Sequence, residues 1–250
     1  MDQSSYLAKL NIRSLNDMQQ KTAETMREQD QLILLSATGS GKTLAFLLPL
    51  LESLNPDEKL CQAMILVPSR ELALQIDSVL KQMQTGYKIT CCYGGHKREI
   101  EENNLVQPPA IVIGTAGRMA DHIRRNNINL GKIKFLVLDE FDKSLELGFL
   151  EEMEFIISSL PAVQKRMLTS ATFAEDIPAF VQMDKPVTLN FLPEQGIAPD
   201  VLRINTVLSP AKDKLDTLLQ LVCYTGNTST IIFCNHRDAV ERVSAFLADQ

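Results

Sequence analysis

Eight consecutive residues near the N-terminus have the composition of a phosphate-binding turn. They read Ser36-Ala37-Thr38-Gly39-Ser40-Gly41-Lys42-Thr43 and stand between a short apolar run and an apolar helical stretch. Phosphate oxygens need several N–H donors that converge on one point, and glycines at a helix N-terminus let the backbone supply them. Lys42 can reach the outer phosphates of a nucleotide, and the Thr43 hydroxyl is placed to bind Mg²⁺. The segment therefore predicts a P-loop, with Ser36 where the usual first glycine stands.

Two acidic residues end another apolar run. Asp139 and Glu140 directly follow Phe135–Leu138. A charge at the end of a buried strand is costly unless it is paired or binds a metal ion. Parallel strands end at the same sheet edge, so Asp139 can hold the Mg²⁺ of the P-loop, partly through water. Glu140 can then orient and deprotonate the attacking water. Together the two motifs predict an enzyme that hydrolyses a nucleoside triphosphate.

Short apolar runs alternate with longer helical patterns along most of the chain. Helices are expected at Glu71–Met83 and Phe149–Leu160. The runs contain almost no polar residues, as is typical of parallel strands that are covered on both faces. Strand–helix alternation of this kind predicts an α/β fold with a doubly wound parallel sheet. The expected strands are Leu32–Leu35, Met64–Val67, Ile89–Cys92, Ile111–Ile113, Phe135–Leu138, Met167–Leu168 and Val187–Phe191.

The pattern changes near residue 193. Two prolines and a glycine within Pro193–Pro199 predict a linker over residues 193–202, so that residues 1–192 form the first domain. Residues 203–250 then predict two strands and two helices, which are too few to close a core. They read as the truncated start of a second α/β domain. The strands are expected at Arg203–Val207 and Thr230–Cys234, and the helices near Lys212–Tyr224 and Arg237–Ala248.

Composition excludes several classes of protein. No apolar run approaches the roughly 18 residues of a membrane span, and we expect no contact with a membrane. The five cysteines form no CxxC pair, which favours free thiols in a reducing cytoplasm. The formal net charge is −6, so any surface for nucleic acid must be a local patch. The neighbouring acids Glu101 and Glu102 are expected to be solvated.

Seven short motifs in one order resemble the DEAD-box family of ATP-dependent RNA helicases. The resemblance runs from about Leu10 to the end of the chain. Asp139-Glu140-Phe141-Asp142 resembles the DEAD tetrad, with Phe141 in place of alanine. The others are Ile12–Gln19 (the Q motif, with Leu15-Asn16 for Pro-Thr), Pro68-Ser69-Arg70-Glu71-Leu72-Ala73 (PTRELA), Gly94-Gly95 (GG), Thr115-Ala116-Gly117-Arg118 (TPGR), Ser170-Ala171-Thr172 (SAT) and Ile231–Asn235, which resembles the first motif of a second RecA-like domain.

The resemblance implies a RecA-like fold for the first domain and a role for each matching residue. Gln19 would read adenine through its amide, with Ile12 making an aliphatic contact to the base. The implied ATP-binding residues are Ile12, Gln19, Thr38, Gly39, Ser40, Gly41, Lys42 and Thr43, with Lys42, Asp139 and Glu140 catalytic and Thr43 and Asp139 on Mg²⁺. Arg70, Gly94, Gly95, Thr115, Gly117 and Arg118 would contact the RNA backbone without sequence specificity, and Asp142, Ser170 and Thr172 would couple nucleotide to RNA.

The implied activity is ATP hydrolysis coupled to RNA binding, remodelling and unwinding. We expect residues 1–250 alone to bind ATP, to hydrolyse it slowly at best and not to unwind RNA, because the family's arginine finger lies late in its second domain. Two alternatives stay open. One is a DNA-directed helicase of the same superfamily, which Gln19 and the tetrad disfavour. The other is an ATP-gated RNA clamp or scaffold, which intact Lys42 and Glu140 disfavour. No motif identifies a protein partner.

Overall fold

The chain divides into two compact units, residues 1–195 and 196–250. A computed structural model describes residues 3–172, 177–193, 203 and 205–249. Apart from Pro193, the linker predicted for residues 193–202 lies outside the described residues. Each unit is therefore considered by itself.

Helices and strands alternate through the first unit. Its strands are β1 (Gln31–Ser36), β2 (Ala63–Val67), β3 (Ile89–Cys92), β4 (Ile111–Thr115), β5 (Phe135–Leu138), β6 (Lys165–Ser170) and β7 (Val187–Phe191). The helices of the chain are α1 (Gln3–Lys9), α2 (Asp17–Glu28), α3 (Lys42–Ser53), α4 (Arg70–Met83), α5 (Arg98–Val106), α6 (Ala116–Arg124), α7 (Phe141–Glu146), α8 (Leu150–Ser158), α9 (Leu215–Thr225) and α10 (Arg237–Ala248). Among the described residues, no helix has both the length and the apolar character that crossing a membrane requires.

The seven strands form one sheet, in which every pairing is parallel. The strand order is β3-β4-β2-β5-β6-β1-β7. All seven strands predicted from apolar runs are confirmed. β6 is longer than its predicted core, Met167–Leu168, because polar Thr169 and Ser170 continue the strand and are themselves buried. A polar residue in a buried strand must find a hydrogen-bond partner, and both hydroxyls find theirs in the loops at the carboxyl edge of the sheet.

Successive residues of each strand face opposite sides of the sheet, and both sides are covered by helices. In β1, Leu32 and Leu34 belong to one hydrophobic core, together with side chains of α2, α3 and α4. Ile33 and Leu35 belong to the other, together with side chains of α6 and α8. Burial of both faces explains why the strands carry so few polar residues. The architecture is the doubly wound α/β fold that the sequence predicts.

The second unit keeps its predicted helices but not its predicted strands. The described residues of 203–207 and of 230–234 form no strand pairing. Ile231 is 80% exposed and Phe233 is 90% exposed, and neither α9 nor α10 has a buried residue. The strand predictions were therefore wrong for this structure. An apolar run becomes a stable strand only where other strands pair with it, and the described residues of this unit offer none.

Gly114 in β4 allows a close approach between two strands and a helix. It pairs with Cys92 of β3, and a Cβ atom there would lie 2.4 Å from the Cys92 carbonyl oxygen and 2.8 Å from Met119 Cγ. We expect Gly114→Ala to lower the free energy of unfolding by about 1–3 kcal/mol, because backbone must move. Gly117→Ala is the matched control, since a Cβ there meets nothing within 4 Å. Equal urea midpoints for the two variants would contradict this account.

Candidate functional site

The carboxyl ends of the strands bring the sequence motifs to one edge of the sheet. Ligands of open α/β sheets bind at this edge. The strand order divides it into two contiguous halves. One half follows β5, β6 and β1, and carries Asp139-Glu140, Ser170–Thr172 and the P-loop. The other follows β3, β4 and β2, and carries Gly94-Gly95, Thr115–Arg118 and Arg70.

The P-loop curls through two left-handed glycines. Gly39 has φ of 81° and Gly41, which caps α3, has φ of 95°. Residues with a side chain rarely adopt this region, so glycine suits both positions. Lys42 is buried, and its Nζ donates to the carbonyl oxygen of Ser36 at 3.0 Å. The loop thus presents a lysine and the free N–H groups of a helix N-terminus, an arrangement that suits phosphate.

Thr38 and Thr43 flank this turn. Thr38 is exposed, while Thr43 is half-buried in the first turn of α3. The Ser36 and Ser40 hydroxyls lie 2.9 Å apart, so one donates to the other. This contact uses the residue that replaces the usual first glycine of the motif. The Ser36 side chain therefore stabilises the turn from within.

Helix α2 is hydrogen-bonded to the P-loop through its N-terminal capping box. Asn16 Oδ1 accepts from the Gln19 N–H at 2.9 Å, and Gln19 Oε1 accepts from the Asn16 N–H at 3.0 Å. Each side chain also donates to the loop: Gln19 Nε2 to the Gly41 carbonyl at 3.2 Å, and Asn16 Nδ2 to the Ser40 carbonyl at 3.1 Å. One N–H and one lone pair of the Gln19 amide remain for a ligand. Ile12 lies half-buried against the core nearby in sequence.

In the sequence, Asn16 stands out only as a departure from the family motif. The structure shows that its longer amide side chain caps α2 and also reaches the P-loop. The signal was present as Asn16-x-x-Gln19, the spacing of a capping box.

Asp139 is buried and is held by a residue that the motifs do not include. Thr169 Oγ1 donates to Asp139 Oδ1 at 2.5 Å and accepts the Glu140 N–H at 3.1 Å. Burial raises the pKa of Asp139 to about 6, against the Thr169 hydrogen bond and the Lys42 ammonium, which lower it. Glu140 itself has φ of 47°, an unfavourable value for a residue with a side chain. Thr169 thus fixes both acidic residues.

The residues around this carboxylate fit a hard divalent cation. β6 lies between β1 and β5, so two strand spacings, about 10 Å, separate the strands that end at the P-loop and at Asp139. The Thr43 hydroxyl and the Asp139 carboxylate are oxygen ligands, which Mg²⁺ prefers while it keeps several waters. A hydrated ion of this kind would also supply the positive charge that the buried carboxylate lacks.

The residues predicted to couple nucleotide to RNA lie in contact. Thr172 Oγ1 donates to Asp142 Oδ2 at 2.9 Å. The Thr172 N–H donates to Ser170 Oγ at 3.1 Å, and that hydroxyl donates back to the Thr172 carbonyl at 2.8 Å. Phe141, where the family tetrad has alanine, is buried with its ring centroid 6.5 Å from that of Phe180. The bulky side chain therefore points into the hydrophobic core.

The second half of the edge presents exposed glycines and the exposed side chain of Arg70. Gly94, Gly95 and Gly117 are exposed, and Thr115 is half-buried at the end of β4. Arg70 is exposed, with its guanidinium 5.2 Å from the Tyr93 ring centroid. Exposed glycines allow main-chain N–H groups to approach a phosphate backbone closely.

Arg118 and Glu101 form a largely buried ion pair, which the sequence does not predict. Arg118, at the start of α6, has only 16% of its side chain exposed, because its Nη1 donates to Glu101 Oε2 at 2.8 Å. Glu101, expected to be solvated, is 1% exposed. The expectation that Glu101 is solvated was wrong because its partners come from two other segments of the chain. A local sequence pattern cannot predict such partners.

The family model described as DEAD/DEAH box helicase matches residues 16–180. The chain belongs to the DEAD/DEAH box helicase family. It is similar to the ATP-dependent RNA helicase DeaD of Escherichia coli K12, with 38% identity over 183 residues, 72% of this chain and 27% of the relative. It is 34% identical to the DeaD protein of Haemophilus influenzae over 197 residues, 77% of this chain and 32% of the relative. It is also 34% identical to DbpA of Bacillus subtilis over 237 residues, 93% and 49%.

The chain spans less than half the length of these three relatives. Among solved structures, a DEAD box protein from Methanococcus jannaschii matches this DEAD/DEAH box chain with a TM-score of 0.69 and 25% identity, over 98% of this chain and 66% of the other. A hypothetical ATP-dependent RNA helicase from Sulfolobus tokodaii has the same fold, with a TM-score of 0.67 and 24% identity over 76% and 57%. The RecA-like fold expected from the motifs is confirmed.

The Thr169 hydroxyl is predicted to stabilise the acidic turn of this DEAD/DEAH box domain. Thr169→Val keeps the shape but leaves the Asp139 carboxylate and the Glu140 N–H without that partner. We expect the free energy of unfolding to fall by about 1–3 kcal/mol in urea titrations. Thr90→Val is the matched control, because Thr90 is also buried in a strand but its hydroxyl has no hydrogen-bond partner among the described residues. A Thr169→Val protein as stable as the control would refute the role.

Proposed function

We propose that this chain binds ATP with Mg²⁺ and couples ATP hydrolysis to the binding and remodelling of RNA. One observation carries the proposal: a single sheet edge bears the P-loop and acidic turn on one half and exposed glycine and arginine loops on the other. The curated relatives, which are named ATP-dependent RNA helicases, support it.

Nucleotide binding requires a small rearrangement of the P-loop. Lys42 would leave the Ser36 carbonyl and donate to the β and γ phosphates instead. Mg²⁺, held by Thr43 and, partly through water, by Asp139, would neutralise phosphate charge when bound. Glu140 would orient the attacking water and take its proton. The unused donor and acceptor of Gln19 suit adenine, and Ile12 would lie against the base.

RNA binding is proposed to be local and directed at the backbone. The chain has a net charge of −6, so attraction is proposed to come from Arg70 and Arg118 and from main-chain groups at Gly94, Gly95, Thr115 and Gly117. The relatives' names favour RNA over DNA, and competition between the two for the same surface would test this choice. Strand separation is proposed only together with a complete second RecA-like domain, because the described part of the second unit contains two helices and no strand.

A reducing, cytoplasmic location is also proposed. Cys61, Cys91, Cys92, Cys223 and Cys234 are all free. Burial raises the pKa of Cys61 and of Cys91 to about 12 in each case, so these thiols are unreactive. Free, unreactive thiols are usual where disulfides do not persist.

Gln19→Glu tests adenine selection with almost no change of shape. The variant loses the amide donor that contacts the Gly41 carbonyl and the donor proposed for adenine. We expect ATP affinity to fall about 5- to 100-fold by calorimetry, in line with the loss of a buried hydrogen bond. Gln20→Glu, an exposed neighbour on the same helix, controls for charge. Equal affinity of the unaltered chain for ATP and GTP would overturn adenine selection.

Lys42→Ala and Glu140→Gln separate binding from hydrolysis. Lysine interacts with the phosphates of bound ATP, so its loss should weaken MgATP binding. Glutamine at position 140 removes only the base, so binding should persist while the single-turnover rate falls by about 10²- to 10⁴-fold. Affinity and rate are measured on the same preparations. Normal hydrolysis by Glu140→Gln would show that another group acts as the base.

A further inference from the structure

A buried carboxylate lies beneath the loops proposed to bind RNA. Glu101 Oε1 accepts the Tyr93 N–H at 2.8 Å and lies 3.0 Å from His96 Nε2. Its Oε2 accepts from Arg118 Nη1 at 2.8 Å and contacts His122 Nε2 at 2.7 Å. Burial raises the pKa of Glu101, but hydrogen bonds from His122, Tyr93 and Arg118 outweigh it and hold the pKa below its usual range. Glu101 is therefore a carboxylate whose oxygens are fully engaged.

The partners of Glu101 belong to two other segments, the loop after β3 and helix α6 after β4. Tyr93 and His96 enclose Gly94-Gly95 after β3, and Arg118 follows β4. Arg118 also donates through Nη2 to the His96 carbonyl at 3.4 Å, which closes a ring of contacts around the glycine pair.

Arg70, after β2, joins the same cluster through aromatic contacts. It lies over the Tyr93 ring, and the Tyr93 and His96 ring centroids are 4.6 Å apart. The carboxylate of Glu101 thus connects the segments after β3 and β4, and the Tyr93 ring connects them to Arg70 after β2.

His122 reaches Glu101 as a donor. Asn127 Nδ2 lies 3.0 Å from His122 Nδ1, and because an amide nitrogen only donates, Nδ1 must accept. The hydrogen of the neutral ring is then on Nε2 and points at Glu101. Arg118 then supplies a full positive charge beside Glu101. The Arg118 guanidinium is thus held in place by an internal ion pair.

A metal ion is not favoured at this cluster. Ligand atoms of Cys92, Glu101 and His122 lie within 4.8 Å of one another. However, the Arg118 guanidinium already occupies Glu101 Oε2, and the hydrogen on His122 Nε2 is directed at the same carboxylate. A cation would have to displace a positive charge and a donor. The contacts instead match an internal scaffold.

We propose that Glu101 is the positioning residue that holds the Gly94-Gly95 loop and the Thr115–Arg118 segment at the start of α6 in the conformation that binds the RNA backbone. The inference rests on the proposed RNA binding. It predicts that loss of the Glu101 charge weakens RNA binding, whereas simple electrostatics predicts that this loss strengthens it. A negative charge near RNA is repulsive, so its removal should strengthen binding if Glu101 acts only as a charge. If Glu101 positions the loops, its removal weakens binding.

Anisotropy of a fluorescein-labelled 12-nucleotide oligouridylate, titrated with the 250-residue chain, measures this sign. Glu101→Gln places an amide NH₂ against the donors of Arg118 or His122, and we expect about tenfold weaker binding. Glu101→Asp keeps the charge but is one methylene shorter, so it should also bind more weakly. Glu99→Gln removes the same charge from an exposed site on the same helix, and is expected to bind as well as the unaltered chain or slightly better.

Two further readouts separate loop positioning from general damage. ATP affinity should stay unchanged, because the nucleotide half of the edge is not altered. The log–log salt dependence of RNA binding should flatten by roughly 0.7 for each phosphate that the variant no longer binds. If Glu101→Gln does not fold, Glu101→Asp decides between the two roles: weaker RNA binding supports loop positioning, and unchanged binding supports a role as a charge only.

Each outcome has a distinct meaning. Tighter or unchanged RNA binding by Glu101→Gln, or unchanged binding by folded Glu101→Asp, overturns the inference alone. Failure of the unaltered chain to bind the oligonucleotide overturns the proposed function, and the inference with it. Weaker binding by both variants, with ATP affinity retained and Glu99→Gln unaffected, supports the inference.

Discussion

Parallel pairing of the strands determines where every chemical group of the first unit lies. Since all seven strands run in one direction, the loops after β1 to β6 that carry motifs meet at a single edge. Parallel strands need long crossovers, and here helices supply them and cover both faces of the sheet. The two halves of the edge meet where β2 pairs with β5, and there the Asp139 N–H donates to the Leu66 carbonyl at 2.9 Å. The acidic turn is thereby bonded to the strand that leads to Arg70.

Two buried carboxylates on this edge are stabilised in opposite ways. Asp139 receives hydrogen bonds from a threonine hydroxyl and a main-chain amide, and Lys42 is the cation that acts on it. Burial has a larger effect than these groups, so the pKa of Asp139 rises to about 6. Glu101 accepts hydrogen bonds from His122, the Tyr93 amide and Arg118. Together they outweigh the effect of burial, so the pKa of Glu101 falls. A carboxylate left short of positive charge suits the binding of a cation, whereas a compensated one suits a structural role. The same residue chemistry therefore supports different proposals at the two halves of the edge.

Local signals were sufficient for most of the fold and insufficient for the contacts between segments. Apolar runs located β1 to β7, and the glycine spacing located the P-loop, because both depend on neighbouring residues. The roles of Thr169 and Glu101 were not predicted, because their partners are distant in sequence. Thr169 is 30 residues from Asp139, and Glu101 is 17 residues from Arg118. The strands predicted near residues 203 and 230 are absent from the described residues. Their sequences have the apolar pattern of strands, but a strand also needs pairing partners, which a local pattern does not supply.

Differences in burial also indicate which contacts can change when ligands bind. The sheet and the Thr169–Asp139 hydrogen bond are buried, so breaking them would leave polar groups without partners at a cost of about 1–3 kcal/mol. The Thr172–Asp142 hydrogen bond is exposed, and water can replace either partner at little cost. In the proposed nucleotide complex, Lys42 would likewise exchange one oxygen acceptor for another, the Ser36 carbonyl for a phosphate. A response to nucleotide within this unit is therefore expected in the P-loop and the Asp142–Thr172 contact, while the strands that carry Asp139 and Arg70 stay fixed.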